Sequence, residues 1–163
     1  MALILDGYNV IGALDRYRNA VSLDAAREIL INDALKAAGW TGQPLVVVFD
    51  AHRGPGHRRT ESRAGGAVRV IYSAPGESAD DVIERLLSTL EDKATVYTAD
   101  FALQRTALAR GSTRATPREF AMLLDELPAV TRSPNVQRKS RIADRLSLET
   151  LRKLEEIRRR GKS

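Results

Sequence analysis

Apolar and polar residues follow one another along the chain in blocks that predict strands alternating with helices. Short, nearly continuous apolar runs rich in Val and Ile occupy residues 2–5, 44–49 and 94–98, and such runs are typical of strands buried on both faces. Elsewhere apolar residues recur three and four positions apart, which is the spacing of a helix with one buried face. Helices are predicted over residues 23–38, 79–90, 101–110 and 117–127.

This alternation predicts an α/β fold with a mostly parallel central sheet. Crossover connections between parallel strands are right-handed, so the carboxyl ends of the strands lie along a common edge. Ligands of open α/β sheets bind just outside that edge. We therefore expect the functional side chains to lie where the predicted strands end.

Acidic residues stand at these positions. Asp6 follows the first apolar run, Asp50 the second and Asp100 the third, while the pair Asp80 and Asp81 opens a predicted helix. Hard divalent cations prefer carboxylate oxygens, and in two-metal hydrolysis ions roughly 3.5–4 Å apart clamp the attacking and leaving oxygens. The placement of the acids predicts a metal-dependent phosphodiester site at one edge of the sheet.

Length and composition are typical of a compact domain. A chain of 163 residues can bury a sizeable core, and it contains no cysteine, which excludes disulfides and thiolate zinc ligands. The first apolar stretch is too short for the core of a signal peptide, and no segment is long enough to span a membrane. We therefore expect a cytoplasmic protein whose main domain covers residues 1–130.

Positive charge is concentrated near the end of the sequence. The formal net charge is +5, and residues 131–163 hold 11 Lys or Arg against 4 Asp or Glu. A helix is predicted over residues 148–160, with Ser147 as its N-cap. We interpret residues 131–163 as a basic C-terminal extension, partly helical or disordered, whose candidate polyanion-binding residues are Arg138, Lys139 and Arg141.

A second basic segment lies in a Gly-containing loop between predicted strands, beside the acidic edge. Its candidate polyanion-binding residues are Arg53, His57, Arg58, Arg59 and Arg63. Basic side chains near carboxylates fit a polyanionic substrate, because contacts to phosphates release counterions and give affinity with little sequence preference. The alternative is a solvated helix face and a disordered terminus. Only 5% of the residues are aromatic, so the composition does not indicate an aromatic surface for single strands.

Four motifs occur in order along the chain: DGYNVI at 6–11, FDAH at 49–52, ESADDVIER at 77–85 and VYTAD at 96–100, followed by Gln104. Together they resemble the successive motifs of YacP-like NYN domains, which are bacterial members of the PIN-like nuclease group. The resemblance covers about residues 2–127, and several motifs in the right order are more specific than any one of them.

The resemblance implies a Rossmann-like three-layer sandwich that acts as an endoribonuclease with Mg²⁺ or Mn²⁺. The substrate would be single-stranded RNA, either mRNA or ribosome-associated RNA, hydrolysed by a metal-activated water, and the ribosome is a further candidate partner. One departure is Ala99, where members of the family usually have a serine, so one possible hydrogen bond beside the metal is lost. Carried over by position, the metal-site residues are Asp6, Asp80, Asp81 and Asp100, with Asn9 as a polar companion.

Each acid also has a structural explanation. Carboxylates in the first turn of a helix, such as Asp80 and Asp81, are favoured by exposed amides and the helix dipole. Asp100 could cap the next helix, and Asp6 could form a turn. Asp50 is interpreted as a residue that supports the ligands or the structure. Separate capping does not explain why all these acids fall at one predicted edge.

Neighbouring polar residues leave further alternatives open. Ser78 and Asp81 have the spacing of a capping box. Glu84 lies on the same predicted helical face and could reach a metal or an arginine, or simply be solvated. His52 and His57 lack the spaced cluster of a zinc site, so contact with substrate or solvent is the simpler interpretation.

Two other classes of function share parts of this pattern. An RNA-binding or ribosome-associated module with a weak or vestigial metal site would use the basic extension as its working part. A small-molecule phosphatase or Toprim-like enzyme would share the acidic edge but gives no reason for the basic extension.

Overall fold

The computed structural model describes residues 1–51, 57–128, 153, 156–158 and 160. Its contacts divide the chain into two units, Met1–Glu126 and Leu127–Ser163. In the second unit, the described residues 153, 156–158 and 160 are helical, in the stretch where the sequence predicts a helix. The predicted domain boundary after residue 130 lies outside the described residues.

One six-stranded sheet forms the centre of the first unit. Its strands in sequence order are β1 (Ala2–Asp6), β2 (Leu45–Phe49), β3 (Arg59–Arg63), β4 (Val68–Tyr72), β5 (Ala94–Tyr97) and β6 (Thr113–Ala115). The spatial order is β3-β4-β2-β1-β5-β6, and every pair is parallel except β3 with β4. The prediction of an α/β fold with a mostly parallel sheet is confirmed.

The position of β1 defines where a ligand can bind. It pairs with β2 on one side and with β5 on the other, so the strands that follow β1 in the sequence extend the sheet in both directions from it. A crevice opens at the carboxyl ends of the strands where the order reverses in this way. Asp6, the last residue of β1, lies at that crevice.

Six helices accompany the sheet: α1 (Gly7–Ala13), α2 (Asp15–Arg18), α3 (Leu23–Thr41), α4 (Ala79–Thr89), α5 (Phe101–Ala109) and α6 (Pro117–Asp125). The four predicted helices are all present, and their ends differ from prediction by at most three residues. The largest difference is at α3, which continues until Gly42 adopts a left-handed conformation with φ of 67°. Among the described residues no helix has the length and apolar character needed to cross a membrane.

The helices form a layer on each face of the sheet. Alternate residues of β1, β2 and β5, among them Ile4, Val48 and Val96, pack with Ile83 of α4 and Leu103 of α5 in one apolar cluster. Helices α1, α3 and α6 contact one another and the strands, with α3 against β2 and β4 and α6 against β5. The three-layer arrangement holds the strand ends in fixed positions.

Two segments differ from the sequence-based prediction. A turn is predicted after Asp6, but α1 begins at Gly7, although glycine is a poor helix former. Glycine occupies this position because a larger residue does not fit: a Cβ atom there would overlap the Phe49 ring and lie 2.9 Å from the carbonyl oxygen of Val48.

The prediction of a basic loop is also wrong for Arg59–Arg63, because this segment forms strand β3. This segment contains no apolar residue, so it lacks the alternation that marks a strand. It is a strand because its backbone pairs antiparallel with β4 at the edge of the sheet, where one side can face solvent.

Candidate active site

An open cleft with a volume of about 520 Å³ lies at the carboxyl ends of β1, β2 and β5. It is lined by Asp6, Tyr8, Asn9, Asp50, Ser78, Ala79, Asp80 and Asp100. Four carboxylates from four separate segments therefore meet in one place, as the positions of the strand ends predict. We call this the acidic cleft.

Asp6 is the most buried carboxylate of the acidic cleft, with 7% of its surface exposed. It precedes α1 but makes no capping hydrogen bond with its side chain. Instead its Oδ2 accepts a hydrogen bond of 2.9 Å from the hydroxyl of Thr98. A carboxylate that only formed a turn or capped a helix would not point toward a neighbouring strand.

Burial raises the pKa of Asp6 to about 6, although the hydrogen bond from Thr98 acts in the opposite direction. The charges of Asp80, Asp100 and Asp50 contribute to this raised pKa. In the described part of the chain, no Lys or Arg forms an ion pair with Asp6, Asp80 or Asp100. A bound cation would lower this pKa and stabilise the ionised cluster.

Thr98 links two of the acids and was not identified from the sequence. Its hydroxyl donates to Asp6 and accepts from the backbone N–H of Asp100 at 3.1 Å. Its carbonyl oxygen accepts from Nε2 of Gln104 at 2.7 Å, and the residue is fully buried. A threonine at the end of an apolar run is read as a strand residue, so the only sequence signal was its place in the VYTAD motif.

Asn9 fixes the turn between β5 and α5. Its Oδ1 accepts a hydrogen bond of 2.7 Å from the backbone N–H of Ala99. The carboxamide nitrogen remains as a donor on the lining of the acidic cleft. The hydrogen bonds of this turn use the Thr98 hydroxyl, the Asn9 oxygen and the backbone of residue 99, and none needs a serine side chain at Ala99.

Asp100 and Asp80 both line the acidic cleft, but their local bonds differ. Asp100 caps α5, since its Oδ1 accepts from the backbone N–H of Leu103 at 3.0 Å. The predicted capping role of Asp100 is thus confirmed, and it coexists with a place in the cleft. Asp80 is partly buried, and burial raises its pKa, with further contributions from Asp100, Glu84, Asp81 and Asp50.

Asp81 is exposed and is not among the residues that line the acidic cleft. It forms the predicted capping box with Ser78: each backbone N–H donates to the other side chain, at 3.0 and 3.1 Å. These hydrogen bonds lower the pKa of the Asp81 carboxyl. The capping box is confirmed, and a direct metal contact from Asp81 stays a prediction.

The donor set of the acidic cleft fits a hard, hydrated divalent ion. Within the described ranges no three His, Asp or Glu side chains stand close enough to hold one ion together. Mg²⁺ usually keeps several waters and takes only one or two carboxylates from the protein. Asp6 with Asp80 or Asp100 could supply such a pair, and the open volume leaves space for water.

The sequence of the chain matches the family described as YacP-like NYN domain over residues 3–159. The chain belongs to the YacP-like NYN domain family. The resemblance seen in the four motifs is confirmed. Membership of this family supports a nuclease or RNA-related role.

YacP-like NYN domains from Bacillus subtilis are similar to this chain in sequence and in fold. The uncharacterized protein YacP of strain 168 is 36% identical over 137 residues, which are 80% of this chain and 76% of that protein. The crystal structure of Rae1 (YacP) matches with a TM-score of 0.67 at 29% identity, covering 98% of this chain and 95% of that one. A variant of Rae1 with a tryptophan replaced by leucine gives a TM-score of 0.66 at 29% identity, covering 91% and 86%.

Basic residues of this YacP-like NYN domain are held in ion pairs near the acidic cleft. Arg58 and Arg85 both bind Glu77, the latter at 3.0 Å, and Glu77 directly precedes Ser78 of the cleft. Burial alone would raise the pKa of Glu77, but the hydrogen bonds from Arg85 and Arg58 lower it. Arg85 was not singled out from the sequence, because an arginine on an exposed helix carries no distinguishing signal.

The other predicted RNA-binding residues divide into two groups. Arg59 and Arg63 of β3 both pair with Glu61, at 2.6 and 3.1 Å, and His57 is exposed. Their contact with RNA stays a prediction. The residues Arg53, Arg138, Lys139 and Arg141, as well as His52, lie outside the described residues.

Proposed function

We propose that this protein is a metal-dependent endoribonuclease that hydrolyses phosphodiester bonds of single-stranded RNA, either mRNA or ribosome-associated RNA. The observation that carries the proposal is the acidic cleft, in which a buried Asp6 and three further carboxylates meet with no Lys or Arg pairing Asp6, Asp80 or Asp100 among the described residues. Such a cluster is costly unless a cation neutralises it. Family membership supports the same class of reaction.

The residues of the cleft divide the work in the proposed reaction. Asp6 with Asp80 or Asp100 would bind Mg²⁺ or Mn²⁺ directly, and the remaining acid would act through bound water. The ion, when bound, would supply an activated water and neutralise charge on the phosphate. Thr98 orients Asp6 and the start of α5 through its hydroxyl. Asn9 presents a carboxamide donor that can bind a phosphate oxygen or a water.

Two further acids support the proposed site indirectly. Asp81 holds the first turn of α4 through its capping box with Ser78, and it thereby fixes the adjacent Asp80. Asp50 lines the acidic cleft and contributes to the raised pKa of Asp6. Asp50 therefore keeps the supporting role inferred from the sequence and acts on Asp6 through its charge.

RNA is proposed to bind across the acidic cleft with its backbone against nearby basic residues. Arg58 and Arg85 flank Glu77 at the start of α4, where phosphates leaving the cleft would meet them. The basic extension over residues 131–163 would add affinity that depends on salt, because contacts to phosphates release counterions. The ribosome and a cytoplasmic location remain parts of this proposal.

The test is cleavage of a labelled single-stranded RNA by the full-length protein, with and without Mn²⁺. Wild type and Asp92→Asn, a surface variant outside the cleft, are expected to cleave only with Mn²⁺ and to leave a 5′ phosphate and a 3′ hydroxyl. Asp6→Asn is expected to be inactive. Full activity of purified Asp6→Asn would overturn the proposal and would indicate a contaminating nuclease.

A second candidate is an RNA-binding or ribosome-associated module with a weak metal site. It is favoured by the finding that, in the described part of the chain, no three acidic or imidazole side chains form a ready metal cage. Deletion of residues 131–163 separates the candidates. The nuclease would keep Mn²⁺-dependent turnover of a short RNA at low salt, whereas the binding module would lose its function.

A further inference from the structure

A second cleft lies at the link between β5 and α5. Its volume is about 570 Å³, and it is lined by Ala99, Phe101, Gln104, Arg114, Ala115, Thr116 and Glu119. Asp100 lies between Ala99 and Phe101 in the sequence and lines the acidic cleft. Three consecutive residues of this link therefore line the two clefts.

Phe101 is an exposed aromatic ring on the lining of this second cleft. It is the first residue of α5, and 75% of its surface is exposed. Single exposed apolar side chains are common on proteins. This ring differs from most of them because it stands next to a cluster of carboxylates that fits phosphodiester chemistry. Any of the nucleic acid bases can stack on such a ring, because every base has a π-face.

The ring is attached to a rigid part of the site. The backbone N–H of Ala99 donates to Asn9, and the backbone N–H of Asp100 donates to Thr98. Gln104, one turn further along α5, donates to the carbonyl of Thr98. The residues that place the carboxylates therefore also place the backbone of Phe101 beside Asp100.

Arg114 provides a positive charge on the same cleft. It lies on β6, its side chain is exposed, and it forms no ion pair within the described ranges. Arg58 and Arg59, by contrast, are paired with glutamates. The carboxylate Glu119 on this cleft is engaged in a capping box, where it accepts from the N–H of Thr116 at 2.5 Å.

We propose that Phe101 and Arg114 form a nucleotide subsite, in which the ring stacks on an unpaired base and the guanidinium binds a neighbouring phosphate. The inference rests on the proposed function, which identifies the bound polymer as RNA. The acidic cleft would hold the phosphodiester bond next to this nucleotide. Stacking on Phe101 requires a base that is free of its partner strand. The subsite therefore selects single-stranded over duplex RNA, with little preference for the base.

The test measures binding of a short, labelled single-stranded RNA to full-length protein carrying Asp6→Asn, so that no cleavage occurs. Phe101→Ala is expected to weaken binding about tenfold, which corresponds to the lower part of the range for loss of one stacked base. Phe101→Trp should restore the affinity, and Arg114→Gln should weaken it. Leu108→Ala is the matched control, because Leu108 is a half-exposed residue of α5 that does not line the cleft.

A signal specific to stacking completes the test. RNA that contains 2-aminopurine is expected to lose fluorescence on binding in the parent protein and in Phe101→Trp, but much less in Phe101→Ala. Equal affinities for Phe101→Ala and Leu108→Ala would overturn the proposal. Undetectable RNA binding by the parent protein would also overturn it. So would a change in the oligomeric state of Phe101→Ala without a change in RNA affinity, because the ring would then contact a second copy of the chain and not a base.

The two proposals fail in different ways. If the wild type does not cleave RNA but the binding pattern holds, the nuclease assignment is wrong and the subsite stands. If the wild type cleaves and Phe101→Ala has an unchanged KM, the nuclease stands and the subsite is wrong. If both are right, Phe101→Ala raises KM about tenfold and leaves kcat nearly unchanged.

Discussion

At the scale of single residues, the buried carboxylate of Asp6 dominates the account. Its pKa in the folded protein is about 6, compared with 3.8 for an ordinary aspartate, because of burial first and neighbouring acids second. The folded state therefore binds more protons than the unfolded state between about pH 4 and 6. Stability falls as the pH rises through this range, and the loss persists above it.

The raised pKa of Asp6 predicts that removal of its charge stabilises the folded protein at neutral pH. Asp6→Asn removes the charge, so in EDTA at pH 7.5 it is expected to raise the free energy of unfolding by on the order of 2–3 kcal/mol. The gain should shrink toward zero as the pH is lowered to 4. Urea unfolding curves of both proteins across this range provide the measurement. A variant that is less stable than the wild type at pH 7.5 would show that Asp6 carries no burial penalty.

The second prediction concerns the hydroxyl of Thr98. The hydrogen bond from the Thr98 hydroxyl lowers the pKa of Asp6. Thr98→Val keeps the shape of the side chain but removes this hydrogen bond, so the pKa of Asp6 should rise. The acid limb of the pH profile for cleavage should therefore move to higher pH. Thr98→Ser retains a hydroxyl and should leave the profile in place. Identical profiles for the valine and serine variants would mean that this hydrogen bond does not tune the site.

The third prediction separates two neighbouring acids. Asp80→Asn changes a carboxylate of the acidic cleft and should reduce kcat by more than the roughly 10–100-fold typical of residues that only support a metal ligand. Asp81→Asn weakens the capping box and should lower Tm by a few degrees with kcat within a few-fold of wild type. Kinetics and thermal unfolding of the pair decide the point. Equal loss of kcat in both would assign Asp81 to the metal.

The sequence predicts which acids meet but not how each is used. Asp6, Asp50 and Asp100 could be placed together because parallel strands bring their ends to one edge. The choice between Asp80 and Asp81 could not be made, since both lie in the first turn of α4 and only the side-chain directions distinguish them. Thr98 was missed because its hydroxyl donates to Asp6, a residue far away in the sequence that only the tertiary structure brings close.

At the scale of elements, the junction between β1 and α1 has no room for a larger residue at Gly7. Gly7→Ala places a methyl group against the Phe49 ring and the Val48 carbonyl, and it should cost about 1–3 kcal/mol of stability. Gly12→Ala in the same helix meets no atom within 4 Å and should be neutral or stabilising. Denaturant unfolding compares the two. Equal stabilities would mean that Phe49 moves away without cost.

Elements with a clear hydrophobic period could be predicted, whereas those held by their neighbours could not. Helix α4 was predicted to within one residue because Ile83 and Leu87 mark its buried stripe. Strand β3 has only polar residues, and β6 is three residues long, so neither produces a pattern of its own. Their pairing with β4 and β5 decides their structure.

At the scale of the whole molecule, opposite charges lie in different parts of the chain. The acidic cleft lies within the unit Met1–Glu126, while residues 131–163 carry most of the excess positive charge. Metal binding would reduce the negative potential of the cleft, so RNA could approach it. The basic segments would then supply affinity, and the cleft would supply the reaction.

The most direct test of the central claim is the anomalous scattering of a crystal of the full-length protein soaked in Mn²⁺. We expect a peak in the acidic cleft, within coordination distance of Asp6 and of Asp80 or Asp100, with water completing the shell. The peak should be lost in crystals of Asp6→Asn. An empty cleft in the wild type under the same Mn²⁺ concentration that supports cleavage, or a peak bound elsewhere, would contradict it.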